Sequence, residues 1–275
     1  MPDWMTTSNI VWICVAALAV IYAIPRVVSL LRSLRPIPKG DADEGIVLFA
    51  ESLRWLGIHW GRCDAEAGLR DAGFRGKFEF WNWDPTWRAL LVLPTIADRR
   101  FLEAEARRLA DRITELRAEN PTRPVHVVGY SCGGYIAVRA VELLGEGVTV
   151  DSCSLLAAAS SPWRDLNVAA AHVTGPVVVV SSSVDVVVGL GTLIVGTADR
   201  VFTPSIGTLG YRGPRCEKLV EIRWRPSFIR LGHWGGHMSA PARRFVAEKL
   251  APAAGITPHR RGSTAAIPRA TARDS

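Results

Sequence analysis

A serine among glycines at residues 129–134 (GYSCGG) is the pattern in this sequence that most specifically predicts chemistry. An apolar run ends at Gly129 and a helical stretch begins at Tyr135, which places Ser131 on a predicted sharp turn between a strand and a helix. Such a turn pushes the serine hydroxyl out of the sheet, and it is so tight that small neighbours are needed. The N-terminus of the following helix and the amide of Cys132 could then stabilise a tetrahedral oxyanion.

Two other interpretations of this segment compete with a nucleophilic serine. A phosphate-binding turn is one of them, but GYSCGG lacks the lysine of a P-loop and the GxGxxG spacing of a dinucleotide site, so we predict no cofactor. Cys132 could be the nucleophile instead. Because Ser131 occupies the central position of the motif, we expect Cys132 to pack between sheet and helix.

The elements that must position this turn alternate along the chain, which predicts an α/β fold with a mostly parallel sheet flanked by helices. Strand-like stretches cover residues 45–50, 77–83, 124–129, 148–157, 176–181 and 219–224. Helix-like stretches cover residues 63–72, 101–120, 135–144 and 240–250. The Gly- and Thr-rich stretch 186–213 could be a cap or lid, or a plain surface excursion.

On the GYSCGG turn and this alternation, the chain resembles the α/β-hydrolase superfamily from about Gly45 to Pro252. The resemblance implies an α/β-hydrolase-type fold and a triad in the order serine, acid after a later strand, histidine after the last strand. Asp185 follows the apolar run PVVVVSSSVD and fits the acid. Asp199 and Asp165 are weaker candidates.

Two histidines compete for the role of base within residues 231–237 (LGHWGGH). We favour His237, because it is nearer the last helix and the glycines before it would allow a loop to bend over the serine; His233 is the alternative. A zinc site on these two histidines would need a helix, which Trp-Gly-Gly disfavours, so we predict no metal.

The resemblance also implies a second oxyanion donor in the loop after an early strand. That loop begins here at residues 50–52 (AES), and the usual His-Gly-Gly sequence is absent. We predict an oxyanion hole made by the backbone amides of Cys132 and Glu51.

The net charge of +7 is concentrated at the chain ends, since six of the seven charges lie outside residues 40–258. This distribution favours an anionic membrane surface over nucleic acid, and we predict no nucleic-acid partner. The five cysteines show no disulfide or zinc spacing.

The first 25 residues predict a transmembrane anchor. Residues 4–25 carry no charge and 10–24 are almost wholly apolar, which is about the ~20 residues that a membrane-spanning helix needs. A cleaved signal peptide is a rival, but the positive n-region and a well-placed cleavage site are missing. Basic residues follow the apolar run, and the positive-inside rule then places the catalytic body in the cytoplasm. The predicted organisation is an anchor and basic segment (1–35), an α/β-hydrolase domain (40–252) and a disordered basic tail (253–275).

These expectations combine into a membrane-anchored serine hydrolase that cleaves an ester, thioester or amide, with Ser131, His237 and Asp185 as triad. An anchor beside the site makes a lipid-like acyl compound a reasonable substrate; the oligomeric state is left open. The alternative is a catalytically silent membrane protein of the same fold that binds a ligand or partner.

Overall fold

A computed structural model describes residues 39–54, 58–84 and 92–256, together with Val27 and Leu31. Its centre is a six-stranded sheet in the order β2-β1-β3-β4-β5-β6, in which every neighbouring pair is parallel. The strands are β1 (Asp41–Ala50), β2 (Gly76–Trp81), β3 (Val125–Tyr130), β4 (Ser152–Leu156), β5 (Val177–Ser181) and β6 (Leu219–Arg223).

Helices connect the strands and cover both faces of the sheet. They are α1 (Arg62–Asp71), α2 (Val92–Ala97), α3 (Arg99–Glu119), α4 (Cys132–Glu142), α5 (Asn167–Ala171), α6 (Val186–Val195) and α7 (Ile206–Leu209). After β6 come two 3₁₀ turns (Pro226–Leu231 and His237–Ser239), then α8 (Arg243–Phe245), a π-helical turn (Val246–Leu250) and α9 (Ala251–Ala253).

The period of two along the strands divides the core into two layers. Ile46 and Leu48 in β1 point to the layer that α3 and α4 cover, whereas Val47 and Phe49 point to the layer that α1 and the C-terminal helices cover. Every residue of β3 and β5 is buried, and the sequences of these two strands are accordingly mostly apolar.

The register brings the carboxyl ends of the middle strands to one edge. Ala50 pairs with Gly129, Tyr130 pairs with Leu156, and Leu156 pairs with Val180. The segments that follow β1, β3 and β5 therefore start side by side, at the edge where open α/β sheets place their functional groups.

The six predicted strands and the α/β class with a parallel sheet flanked by helices are confirmed. The segment 186–213 contains two helices, α6 and α7, that the sequence did not predict. The predicted domain end at Pro252 falls inside α9, and Ala254 and Ile256 are still buried.

The predicted membrane anchor (1–35) lies outside the described residues except for Val27 and Leu31, and so does the tail from residue 257 onward. Within the part of the chain that the structure describes, no helix combines the length and the apolarity that a membrane span requires.

Candidate active site

Ser131 forms the turn between β3 and α4 in a backbone conformation that L-residues rarely adopt. Its φ is 57° and its ψ is −121°. The turn is held on both sides: the Ser131 amide donates to the carbonyl of Leu156 (2.9 Å), and the Ser131 carbonyl accepts from the amides of Gly134 (3.0 Å) and Ala159 (2.9 Å). Neighbouring structure thus over-determines a strained residue, which is typical of functional positions.

The glycines around Ser131 are required by close packing. A Cβ at Gly133 would overlap the carbonyl oxygens of Ala50 and Glu51, and a Cβ at Gly134 would meet the Cβ of Ala158 at 2.5 Å. A Cβ at Gly129 would lie 2.5 Å from the carbonyl oxygen of Gly133. Side chains at these positions would push α4 away from the sheet, so the predicted need for small neighbours has a direct steric cause.

His237 links the other two predicted triad residues. Its Nε2 lies 2.8 Å from Ser131 Oγ and its Nδ1 lies 2.8 Å from Asp185 Oδ2. The imidazole is buried apart from a small fraction, which shields both hydrogen bonds from competition with water. This arrangement suits a histidine that takes a proton from serine while a carboxylate fixes its tautomer.

Asp185 is held by the start of α6. It is the N-cap residue of that helix, and its Oδ1 accepts a hydrogen bond from the Val188 amide (3.1 Å), which leaves Oδ2 for His237. The Asp185 side chain is only 1% exposed, and its two partners belong to different elements of the chain. The N-cap hydrogen bond to the start of α6 therefore fixes the orientation of the Asp185 side chain.

His233, the alternative base, lies elsewhere. Its ring is buried between Phe228 and Phe245, with centroid distances of 6.4 and 4.6 Å, and its Nδ1 is 3.1 Å from Ser239 Oγ. Burial lowers the pKa of His233 to about 4. A neutral, enclosed imidazole of this kind supports the loop that carries His237 and makes no hydrogen bond to Ser131 in the structure.

The loop after β1 lies beside the serine turn, as the prediction for Glu51 requires. The Glu51 carbonyl packs against Gly133 and accepts a hydrogen bond from Trp83 Nε1 (2.8 Å). The Glu51 carboxylate is buried, accepts from the amides of Gly61 (2.6 Å) and Arg62 (3.2 Å), and burial raises its pKa. The side chain therefore fixes the loop, and the part left for an oxyanion is the backbone.

Cys132 packs as expected. The thiol is buried in the core layer beneath α4, and burial raises its pKa to about 12. Since the thiolate is the nucleophilic form of cysteine, a thiol with this pKa is inert at neutral pH. The Cys132 side chain is thus part of the core.

The two weaker candidates for the catalytic acid form hydrogen bonds and ion pairs with other residues. Asp199 accepts from the Ser161 amide and pairs with Arg164, and Asp165 accepts from Asn167. Among the described residues, no group of three or more His, Cys, Asp and Glu side chains is placed to hold a metal ion.

Sequence reasoning missed two residues that support the histidine. Tyr130 donates its hydroxyl to the His237 carbonyl (2.9 Å), and its ring lies 5.2 Å from the imidazole. Ser239 donates to the carbonyl of Gly236 (2.8 Å) and accepts from the Trp234 amide (3.0 Å), which closes the loop before His237. The position of Tyr130 inside the GYSCGG motif was the available signal; Ser239 had none.

No protein-family model matches the chain, and no curated protein matches it. Among solved structures, the chain is similar to a cutinase of Trichoderma reesei in complex with a C11Y4 phosphonate inhibitor, with 12% sequence identity and a TM-score of 0.41. The alignment covers 88% of this chain and 94% of the cutinase chain.

Proposed function

We propose that this protein is a serine hydrolase that cleaves a carboxylic ester, or a related thioester or amide, through an acyl-enzyme intermediate. The observation that carries the proposal is the position of His237, which bonds to Ser131 and Asp185 at 2.8 Å each. A protein that only binds a ligand has no chemical need for a buried histidine between a carboxylate and a strained serine.

The reaction follows from these contacts. Ser131 Oγ attacks the acyl carbon while His237 Nε2 takes the hydroxyl proton, and the carbonyl electron pair moves onto oxygen. Collapse of the tetrahedral species breaks the bond to the leaving group, which takes the proton from His237. Water then attacks the acyl-serine with His237 again as base, which releases the acid and restores Ser131. Asp185 stabilises the imidazolium in both halves.

The oxyanion would be stabilised at the start of α4. The Cys132 amide is at the first position of this helix and follows the nucleophile, so its N–H is the first proposed donor. The Glu51 amide is the second proposed donor, supported by the packing of the Glu51 loop against Gly133. Two such donors stabilise the charge that develops on the substrate oxygen.

The proposed substrate carries an apolar acyl group. Val184, Trp234 and Met238, which flank Asp185 and His237 in sequence, are all exposed apolar side chains. Activity on p-nitrophenyl esters should therefore rise from acetyl to medium-chain acyl groups. A marked preference for acetyl would contradict a lipid-like substrate without contradicting ester hydrolysis.

Labelling by a fluorophosphonate probe tests the proposed function directly. We expect the full chain in detergent to be labelled, and Ser131→Ala and His237→Ala to lose labelling, because attack on phosphorus needs both the hydroxyl and its base. His172→Ala is the matched control, since the His172 imidazole bonds to the Val148 carbonyl and precedes β5, whereas Asp185 follows the other end of that strand. Wild-type protein that is folded by circular dichroism yet unlabelled would overturn the proposal in favour of the silent, ligand-binding alternative.

We also propose that the chain is anchored in a membrane by residues 4–25 with the hydrolase domain in the cytoplasm. The support is the uncharged stretch and the basic residues that follow it. A reporter fused to Ser275 that is active only outside the cytoplasm would reverse the orientation.

A further inference from the structure

Helix α6 turns its apolar side outward. The five large aliphatic side chains Val186, Val187, Leu190, Leu193 and Ile194 are exposed, with Val186 at 61% and Ile194 at 73%. At 3.6 residues per turn they fall within an arc of roughly 120° and form one continuous stripe, named here the α6 face. The helix carries no charged residue.

The inward side of the same helix is the less apolar one. Its buried residues are Val188, Gly189 and Thr192. A surface helix of a water-soluble domain normally has the opposite distribution. An exposed apolar stripe of this length marks a surface that contacts something other than water.

The α6 face is continuous with the candidate active site. The helix begins directly after Asp185 and packs against the His237–Ser239 turn. At its far end, the ring of Phe202, which is 68% exposed, lies against Gly196. The apolar surface therefore extends from the catalytic histidine turn to Phe202.

Cationic side chains lie at the edge of this surface. Arg200, two residues before Phe202, lines a cleft of about 650 Å³ with Arg99, Arg100 and Arg107 from α3. The two acidic residues of the cleft are engaged: Asp98 caps α3, and Glu103 pairs with Arg139. An apolar face bordered by arginines is complementary to acyl chains beneath anionic headgroups.

The chain outside the structure can reach the same surface. β1 spans ten residues, about 33 Å, from the edge where the chain enters to the edge that holds the site. Residues 26–38 connect the uncharged stretch to β1, and 13 residues span at most roughly 43 Å. An anchor at residues 4–25 would thus allow the α6 face to lie on the bilayer that holds it.

We infer that the α6 face, with Phe202 and the arginine cleft at its edge, docks on the surface of an anionic phospholipid bilayer. The occupant is lipid, with acyl chains against the aliphatic stripe and phosphate groups at Arg200 and the α3 arginines. Docking presents the mouth of the Ser131 site to the membrane. It requires no hydrolysis, so Ser131→Ala protein should dock equally well.

Site-specific fluorescence on the reconstituted full chain tests this docking. Ile194→Cys and Val168→Cys are each labelled with an environment-sensitive NBD dye; Val168 is an equally apolar exposed position on α5, which leads into the other end of β5. The labelled parent without a new cysteine gives the background. In vesicles containing phosphatidylglycerol we expect a blue shift and quenching by nitroxide-bearing lipids at position 194 and neither at position 168.

The charged edge is tested in the same vesicles. Arg100→Gln with Arg200→Gln should reduce quenching at position 194 to the level seen in neutral phosphatidylcholine vesicles. Arg244→Gln, an exposed arginine paired with Glu248 on the C-terminal helix, should leave it unchanged. High salt should act like the double variant, because it screens exposed charges.

Three results would overturn the inference. Quenching at 168 but not at 194 would mean that the opposite edge faces the bilayer. A probe at 194 shielded from both lipid nitroxides and aqueous iodide would mean that the N-terminal segment of the same chain covers the face. Shielding that appears only as protein concentration rises would assign the face to a second copy. Each can occur with intact fluorophosphonate labelling, so failure of docking is distinguishable from failure of the hydrolase proposal.

Discussion

Asp185 has two hydrogen-bond partners from different elements, the Val188 amide in α6 and His237 in the C-terminal loop. Replacement of one carboxylate oxygen by an amide nitrogen keeps the size of the side chain but forces a different tautomer on the histidine. We expect Asp185→Asn to lower kcat on a p-nitrophenyl ester by about 10³–10⁴-fold with little change in KM. Asp199→Asn, whose carboxylate bonds to the Ser161 amide and to Arg164 instead of to His237, should retain wild-type kcat; equal losses in both variants would argue against a triad role.

His233 makes the stability of the protein sensitive to acid. Burial lowers its pKa from 6.5 to about 4, so between these values the unfolded chain binds a proton that the folded chain does not. The stabilisation is present above pH 6.5 and is lost as pH falls toward 4, by about 3 kcal/mol if this shift is complete.

Urea unfolding between pH 4 and 7.5 measures this effect. Burial lowers the pKa of His126 to about 4 as well, so the wild-type curve contains two such contributions. His233→Gln should remove one of them and His126→Gln the other, whereas His172→Gln should remove neither. A His233→Gln curve as steep as that of the wild type would mean that His233 is protonated in the folded state.

At the residue scale, the sequence predicted the residue types of the triad and their order along the chain, but it could not decide between two nearby histidines. Ser131 could be identified because the tight turn that holds it leaves no room for side chains at the neighbouring positions, which are therefore glycines. The choice between His233 and His237 depends on Ser239, Phe228 and Phe245, whose convergence on one ring is a property of the folded loop. The functional roles assigned to the triad and to the two amides are predictions, of which labelling tests those of Ser131 and His237 and the Asp185→Asn variant tests that of the acid.

Among the elements, the turn between β3 and α4 depends on close contact with the loop after β1. A methyl group at Gly133 would overlap two carbonyl oxygens, whereas a Cβ at Gly145 would meet nothing within 4 Å. We expect Gly133→Ala to destabilise the fold by about 1–3 kcal/mol, and Gly145→Ala to change stability by less than about 0.5 kcal/mol.

Urea unfolding measures the stability of the two glycine variants, and fluorophosphonate labelling measures the reactivity of their serine. Gly133→Ala should also label more slowly, because the same methyl group displaces the start of α4 from the Glu51 loop. Normal stability and labelling of Gly133→Ala would show that the turn has more room than the structure gives it.

The elements were predicted where periodicity or apolar runs are strong, and missed where they are not. α3 shows a clear helical repeat and was predicted within two residues at its start and one at its end. α4 begins three residues earlier than predicted, because Gly133 and Gly134 are poor helix formers that here allow tight packing on the sheet. α6 was missed because its outward apolar face and its glycines do not follow the pattern of a surface helix.

For the whole molecule, every described strand and all three candidate triad residues lie after Lys39. Deletion of residues 1–38 should therefore leave a domain that folds and reacts with fluorophosphonate. It should be extracted from membranes by alkaline carbonate, whereas the full chain should resist extraction. Equal resistance of both forms would place the anchoring elsewhere than in residues 4–25.

The order of the strands in the sheet could not be predicted from the sequence. Alternation of strands and helices indicates a parallel sheet, but it does not state that β1 lies between β2 and β3 or that the serine turn meets the Glu51 loop. Which strands become neighbours depends on how helices pack on both apolar faces of the sheet. That packing is made of contacts between residues far apart in the chain.

The positive φ of Ser131 implies a trade-off between the reactivity of this residue and the stability of the fold. Glycine enters the region at φ 57° without steric penalty, so Ser131→Gly should be more stable in urea than Ser131→Ala by about 1 kcal/mol or more, although neither reacts. The fold alone would be better served by glycine at this position. The serine thus marks a trade-off in which some durability is given up to hold one hydroxyl in a reactive pose.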